Sequence, residues 1–312
     1  PAIVNKVSPV LFDLAKKTDF QEVLSKNIRD IKIDEEEIVN KTLSTFKNLE
    51  KLDLPRIKDL TKLDFKGLEK LKVLKLGESS VETVELDGLK ALETLNLSYI
   101  NTLKSVSLKD LEYLKYLSLR ESKVETVELD RLKSLESLSL NQKKIIKYLY
   151  LKGLDSLKNL NLASSSVETV KLDDLKVIKT LNLSGIPNLK SISLKHLDSL
   201  KDLELWDSSV QTVELADLKS LKSLILINSL VEVLMLKNLS DLESLDLGDL
   251  KNLKSVVFEG DFSSLTTLNF ARSANLERIE GLEHLTKLKD LNISGTSKLS
   301  RIALPPEQKD LK

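Results

Sequence analysis

Histidine and cysteine, which often carry acid–base and metal chemistry, are scarce in this chain of 312 residues. It contains two histidines, His196 and His284, and no cysteine. A hydrolytic triad needs a histidine beside a serine in a pocket that excludes water, and the pattern described below leaves no such pocket. The nine glycines are scattered, so no glycine-rich phosphate loop follows a strand pattern. The sequence therefore predicts a protein that is not an enzyme, with no catalytic residue, no cofactor and no metal site.

Charged residues do recur, within a segment that returns at a fixed spacing. The stretch SSVETVEL, beginning at Ser79, reappears in nearly the same form from Ser122, Ser165 and Ser208, each time 43 residues further on. Packing of the core does not require any particular polar residue at the outward positions of this stretch. The repeated charges therefore need a cause, and that cause depends on the elements that carry them.

Those elements are the coils of an internal repeat. A second strand pattern, such as LKSVSL from Leu103, lies 10 or 11 residues from each L-x-x-L-x-L motif, so every coil carries two short strands. Each coil buries only part of its apolar stripe and needs neighbours to cover the rest, which predicts a solenoid with two parallel sheets. At spacings of 21 to 23 residues, the L-x-x-L-x-L motifs begin at Leu49, Leu71, Leu92, Leu114, Leu135, Leu157, Ile178, Leu200, Leu221, Leu242, Leu265 and Leu288.

The spacing of apolar residues from Leu71 to Val84 resembles the leucine-rich repeat family, with Ser79 where that family usually has Asn. The run from Leu276 to Ile293 resembles the internalin type of this repeat. The fold class predicted is a mainly β repeat solenoid of about twelve coils, with short parallel strands on both faces. The resemblance implies recognition of another protein by an exposed sheet face, and for the internalin type adhesion at a bacterial surface.

The ends of the chain differ from the repeat. Apolar residues at helical spacing from Val10 predict a helical N-terminal cap over residues 1–47, because a solenoid end exposes core that must be covered. The solenoid is predicted over residues 48–304, and residues 305–312 are predicted to be a tail or the start of a following segment. Because the chain begins at Pro1 without Met, we expect it to be a trimmed piece of a longer precursor.

Alternating charge explains the repeated segment. In a parallel sheet, equivalent residues of successive coils lie beside each other, and one such column reads Glu82, Lys104, Glu125, Lys147, Glu168 and Lys190. Neighbouring opposite charges contribute about 0.2–1 kcal/mol per exposed pair, whereas like charges repel. The alternation therefore predicts ion-pair columns that fix the register and keep the sheets soluble.

Three successive coils break this alternation. Lysines follow one another where acid and base should alternate, the single tryptophan stands just past a strand, and isoleucines occupy outward positions. An exposed apolar cluster with cations at its rim suits a protein partner, with the tryptophan as anchor. The alternative is that the tryptophan folds over its own loop and the isoleucines fill a local irregularity. The residues of this break surface are Trp206, Ile225, Ile227, Lys179, Lys201 and Lys222.

The function predicted is a noncatalytic protein-binding module, secreted or at a bacterial surface, that uses the break surface for recognition or adhesion. Lysine plus arginine equals aspartate plus glutamate at 48 each, so no global field recruits nucleic acid or anionic lipid. No apolar run reaches the ~20 residues that a membrane span needs. We expect a monomer that binds another protein. Two alternatives stay open, namely a stalk that presents a C-terminal domain and an intracellular interaction scaffold.

Overall fold

The computed structural model describes residues 48–56, 61–124, 129, 132–142, 148–151, 153–172 and 175–305. The cap predicted for residues 1–47 and almost all of the tail predicted for residues 305–312 lie outside these ranges. Within them the chain forms short parallel β-strands and one 3-10 helix, Leu282–His284. The chain divides into two compact units, Pro1–Ile145 with Lys152–Leu154, and Ile146–Leu151 with Asp155–Lys312.

In the first unit, strands from alternate halves of each coil form two parallel sheets. Val73 pairs with Lys51 on one side and with Thr94 on the other, which is the register that the repeat spacing predicts. The first sheet contains β1 (Lys51–Asp53), β3 (Val73–Lys75), β5 (Thr94–Asn96), β7 (Tyr116–Ser118) and β8 (Ser137–Ser139), and the second contains β2 (Lys62–Asp64), β4 (Thr83–Glu85) and β6 (Ser105–Val106).

The second unit repeats this arrangement. Its L-x-x-L-x-L strands are β10 (Asn159–Asn161), β12 (Thr180–Asn182), β14 (Asp202–Glu204), β16 (Ser223–Ile225), β18 (Ser244–Asp246), β20 (Thr267–Asn269) and β22 (Asp290–Asn292). The opposite strands are β9 (Tyr148–Tyr150), β11 (Thr169–Lys171), β13 (Ser191–Lys195), β15 (Thr212–Ala216), β17 (Val233–Lys237), β19 (Ser255–Glu259) and β21 (Arg278–Glu280). Across the described residues, twelve strands belong to the first set, which confirms the predicted solenoid of about twelve coils with strands on both faces.

The core follows from the two-residue period of each strand. In β14, Leu203 is fully buried between two half-buried neighbours, and Leu205 just after the strand is fully buried as well. Leu200 closes the preceding turn by donating its backbone N–H to the carbonyl of Leu197 at 3.0 Å. Burying one such leucine contributes about 1.5–3 kcal/mol. The regular leucine spacing thus determines both the strands and the turns between them.

Each coil bends at a residue with positive φ, most often not glycine. At the corner after the first-sheet strands, the N–H of Glu78 donates to Ser98 O and that of Tyr99 donates to Arg120 O, so the backbone ladder continues around the bend. This ladder holds the left-handed conformation at residues that ordinarily avoid it. The series consists of Arg56, Glu78, Tyr99, Glu121, Gln142, Ser164, Gly185, Asp207, Asn228, Asp249, Arg272 and Gly295.

Ion pairs confirm the charge alternation at several described positions. Lys104 Nζ lies 2.6 Å from Glu82 Oε2, and Lys254 makes the same 2.6 Å contact with Glu232 further along the chain. On the other face, Lys115 Nζ lies 2.9 Å from Glu93 Oε2, and the hydrogen bond and charge of Glu93 raise the pKa of Lys115. Two members of the predicted column, Glu125 and Lys147, lie outside the described residues.

Candidate protein-binding face

The break surface lies on three adjacent strands of the second unit. Strands β12, β14 and β16 pair in parallel, so that Asn182, Glu204 and Ile225 form one row across the sheet. A lysine precedes each strand, and the residue two positions after Glu204 and Ile225 is Trp206 and Ile227 respectively. The structure therefore places all six residues of the break surface on the same face of the same three coils.

The apolar residues past the strands are exposed. Trp206 retains 40% and Ile227 58% of its accessible surface, whereas Ile225 is half-buried. Trp206 Nε1 donates to Glu204 Oε2 at 3.2 Å, within its own coil. The alternative that Trp206 folds over its own loop is therefore partly right, because its polar edge is held locally, yet much of the ring still faces solvent.

Sequence reasoning missed one apolar residue beside this group. Leu230 is 43% exposed and follows Ile227 around the corner at Asn228, where φ is 55°. The backbone N–H of Leu230 donates to Ser208 O at 3.0 Å, which fixes its position in the coil. The equivalent positions of most other coils carry polar residues such as Ser166, and none carries another large aliphatic side chain. Aligning the loops as well as the strands reveals this exception.

The three lysines of the break surface have no acidic partner among the residues that the structure describes. Lys179, Lys201 and Lys222 are exposed, and among the described residues none of the three lies within ion-pair distance of a carboxylate. Their backbones are hydrogen-bonded in series, since Lys201 N donates to Lys179 O at 2.8 Å and Lys222 N donates to Lys201 O at 2.9 Å. Three like charges therefore stand on adjacent coils, where exposed opposite charges would attract.

The sequence predicted an apolar centre with lysines at its rim. In the structure the lysines and the apolar residues instead lie at opposite ends of the strands. Lys201 precedes Trp206 by five residues, which corresponds to about 16 Å in extended chain. The carboxylates of Asp202 and Glu204 belong to the strand between them. The face thus has a basic end, an acidic middle and an apolar end.

A local hydrogen bond that six of the twelve strands of the first set make is absent from the described residues of two of these three coils. In six coils, the side-chain oxygen of the last strand residue accepts the backbone N–H two residues later, at 2.9–3.0 Å. Glu204 instead accepts from Asn182 Nδ2 and Trp206 Nε1, and Ile225 has no oxygen to offer. The residues that do make this bond are Asn96, Asn161, Asn182, Asp246, Asn269 and Asn292.

The two histidines lie in separate places. His196 stands at a corner with φ of 58°, its Nδ1 3.6 Å from Asp217 Oδ2, and His284 lies in the 3-10 helix with Nε2 3.7 Å from Glu283 Oε1. Across the described ranges no group of three or more potential ligands could hold a metal ion. No helix in the same ranges has the length and apolar character for crossing a membrane.

Comparisons with known proteins agree with this architecture. Residues 211–312 match the family model described as BspA type leucine-rich repeat region, in six copies. A search of curated protein sequences found no match. The predicted leucine-rich repeat pattern is therefore confirmed by a family model over the last third of the chain.

Solved structures share the fold at low sequence identity. TLR13 in its complex with ssRNA13 is 23% identical to this chain, with a TM-score of 0.57. The match covers 91% of this chain and 49% of the TLR13 chain. The functional domain of InlJ from Listeria monocytogenes is 16% identical with a TM-score of 0.49, covering 84% of this chain and 64% of that domain. The internalin inlF from the same species is 22% identical with a TM-score of 0.48, covering 82% and 75%. This chain thus spans about half of TLR13 and under two thirds of the InlJ domain.

Proposed function

Because the chain folds as a leucine-rich repeat solenoid and its residues 211–312 match the BspA type, we propose that it is a noncatalytic protein-binding module. The observation that carries this proposal is the coincidence, on the same three coils, of exposed Trp206 and Ile227 with three lysines that have no ion-pair partner among the described residues. Apolar groups at these outward positions add little to the core. Exposed aromatic and aliphatic residues on a polar surface are typical of a protein interface.

We propose different roles for the two ends of the face. Trp206 acts as the anchor, and its bond to Glu204 restrains the indole before a partner arrives, which lowers the entropy lost on binding. Lys179, Lys201 and Lys222 attract acidic groups of the partner and raise the association rate more than the final affinity.

We propose further that the module works in secreted form or at a bacterial surface, as a recognition or adhesion protein. The internalin-like spacing from Leu276 to Ile293 supports this setting. A stalk and an intracellular scaffold are the competing functions. A stalk requires no binding at the break surface, so a test of binding at that surface distinguishes a binding module from a stalk.

The test compares variants of the full chain. Trp206→Ser combined with Ile227→Ser should weaken binding to a partner identified by cross-linking at least tenfold, which corresponds to about 1.4 kcal/mol, while the melting temperature stays within about 2 °C. Tyr116→Ser is the matched control, because Tyr116 is an exposed aromatic residue on the first sheet of the other unit. Equal losses for Tyr116→Ser and the double variant, or unfolding of the double variant, would contradict the proposal.

The lysines need a separate measurement. Replacing Lys179, Lys201 and Lys222 by Gln should slow association and flatten its dependence on salt, with a smaller effect on dissociation. Surface plasmon resonance at low and high ionic strength resolves the two rates. An unchanged association rate at low salt excludes electrostatic steering by this column.

A further inference from the structure

The positive end of the binding face is larger than the lysine column. A tight turn precedes strands β12 and β16. Ile178 N donates to Leu175 O at 3.2 Å in the first turn, and Leu221 N donates to Leu218 O at 3.1 Å in the second. Both turns carry one lysine inside and a second just after. We call this cluster the basic corner, and its members are Lys176, Lys179, Lys201, Lys219 and Lys222.

Coils nearer the N-terminus neutralise the same turn. There the two flanking positions have opposite signs, as in Lys90 with Glu93 and Glu112 with Lys115. In the basic corner all five lysines are exposed, and none has a carboxylate at ion-pair distance among the described residues. Asp198 is the acidic residue that interrupts the corner, at the turn of the middle coil. An excess of positive charge therefore stands at this end of strands β12, β14 and β16.

At the opposite end of these strands the apolar residues form a ridge, defined by Trp206, Ile227 and Leu230. All three are exposed, at 40%, 58% and 43% respectively. Positions equivalent to Trp206 and Ile227 in neighbouring coils hold small residues, Ser184 and Gly248. The ridge is thus confined to two coils, as the basic corner is confined to three.

The corner and the ridge share their strands. Lys201 and Trp206 flank β14, and Lys222 and Ile227 flank β16, so each strand has a cation at one end and an apolar residue at the other. The separation of five residues corresponds to about 16 Å, which an extended peptide covers with about five residues of its own. One short segment is therefore long enough to reach both ends.

We propose that the basic corner and the apolar ridge hold the two ends of one extended segment of a partner protein. The acidic residues of this segment lie over the corner, and a bulky apolar residue about five positions away packs on the ridge. This inference rests on the proposed function, and it adds the chemistry and length of the ligand. The half-buried carboxylates of Asp202 and Glu204 repel acidic residues from the middle of the segment.

The same carboxylates favour a peptide over a nucleic acid. A single strand of DNA or RNA carries a charge at every nucleotide, so some phosphates would lie over Asp202 and Glu204. Surfaces that bind single strands also present successive aromatic rings for stacking, whereas Trp206 is the one tryptophan of the chain and stands at the far end of the face. Charge placement therefore selects a segment that is acidic at one end alone.

The experiment selects twelve-residue random peptides displayed on phage against the full chain. Enriched peptides should carry an acidic cluster about five residues from Trp, Phe or Leu. Synthetic copies measured by fluorescence anisotropy should lose about tenfold or more in affinity with Lys201→Glu plus Lys222→Glu. A similar loss is expected with Trp206→Ser plus Leu230→Ser.

Two matched measurements complete the design. Lys90→Glu with Lys109→Glu makes the same charge change on exposed lysines of the other unit and should leave affinity unchanged. Peptides in which the acidic cluster is replaced by lysines should bind the Lys201→Glu, Lys222→Glu variant better than the original chain, because the charges are then complementary again.

The outcomes separate this inference from the proposed function. Peptides that need the ridge but no acidic residue overturn the inference and leave the proposed function intact. Peptides that need both ends without a fixed spacing overturn the single extended segment. Failure of every variant to reduce binding overturns both proposals, and tighter binding of twelve-nucleotide single strands than of the peptides overturns the choice of a protein partner.

Discussion

The coils between Ile178 and Leu230, here the break coils, and the coils between Leu242 and Gly295, here the C-terminal coils, are both built from short parallel strands. In the C-terminal coils, outward and corner residues stabilise the fold. Asn269 Oδ1 accepts the N–H of Ala271 at 2.9 Å, and Ser273 Oγ donates to Leu247 O at 2.7 Å while it accepts from Leu250 N at 3.1 Å. In two of the three break coils, several equivalent residues make no such bond among the described residues.

Three positions show the contrast. Ile225 stands where Asn269 does and cannot accept the N–H of Ile227. The hydroxyl of Ser208, equivalent to Ser273, is buried without a hydrogen-bond partner among the described residues, as is that of Ser229. A buried hydroxyl without a partner costs about 1–3 kcal/mol. The solenoid thus tolerates the loss of several local bonds, and the break coils are where those losses coincide with exposed apolar residues.

The largest expected effect concerns the second corner of the coil. A Cβ added to Gly281, where φ is 77°, lies 1.9 Å from the backbone oxygen of Phe258, so Gly281→Ala must displace the chain. We expect a loss of about 3 kcal/mol or more in the free energy of unfolding. At the same corner in the break coils, His196 holds φ of 58°, and His196→Gly should stabilise by at most about 1 kcal/mol. Urea unfolding measures both changes.

The control for this pair is Gly88→Ala. Gly88 has φ of 84°, and its added Cβ meets no atom within 4 Å, so only the backbone conformation is strained. We expect a loss of about 1–2 kcal/mol. Equal losses at Gly88 and Gly281 would show that the approach of Phe258 does not matter.

Next in size is the serine pair. Ser273→Ala removes a hydroxyl that makes two hydrogen bonds and leaves Leu247 O and Leu250 N without that partner, so we expect a loss of about 1–3 kcal/mol. Ser208→Ala removes a hydroxyl with no partner and should be neutral or slightly stabilising. Thermal and urea unfolding of the two variants should differ clearly. A large loss for Ser208→Ala would indicate a bond that the contrast overlooks.

Much of the fold is predictable because leucine spacing determines it. Central strand residues such as Leu203 and turn residues such as Leu200 alternate at fixed positions, and parallel stacking follows from the burial they need. The left-handed corners are not predictable in this way, because Arg56, Glu78 and Tyr99 carry no sign of positive φ in their residue type. Hydrogen bonds between coils impose that conformation.

The candidate site divides similarly. Exposure of Trp206 and Ile227 and the lysine column were predicted from the contrast between coils, which needs only strand phase. Leu230 was missed because it lies in a loop, where residue alternation gives no phase. The separation of lysines from tryptophan depends on strand direction, since one precedes the strand and the other follows it. The residue positions before and after β14 are therefore enough to predict this separation.

Exchanging asparagine and isoleucine at the last strand position tests whether exposed apolar residues make the break coils less stable. Asn269→Ile removes the bond to Ala271 N and the 2.8 Å bond to Asp246 Oδ1, so we expect a loss of about 1–2 kcal/mol. Ile225→Asn introduces an oxygen that can accept Ile227 N–H and should gain up to about 1 kcal/mol. Differential scanning calorimetry compares the two. Destabilisation by Ile225→Asn means that half-buried Ile225 contributes packing instead.

The smallest effects are expected when one charge is reversed, either in a column of alternating charges or in the column of lysines. Glu93→Lys replaces the partner of Lys115 with a like charge and should cost up to about 1 kcal/mol, whereas Lys201→Glu places an acid between Lys179 and Lys222 and should gain a few tenths, about 0.2–0.5 kcal/mol. Both shifts must shrink in molar salt, because exposed pairs are screened. Melting curves at low and high salt therefore give the sign and the cause together. A salt-insensitive gain for Lys201→Glu would mean that shape, not charge, governs this column, and the case for an acidic ligand at the basic corner would weaken with it.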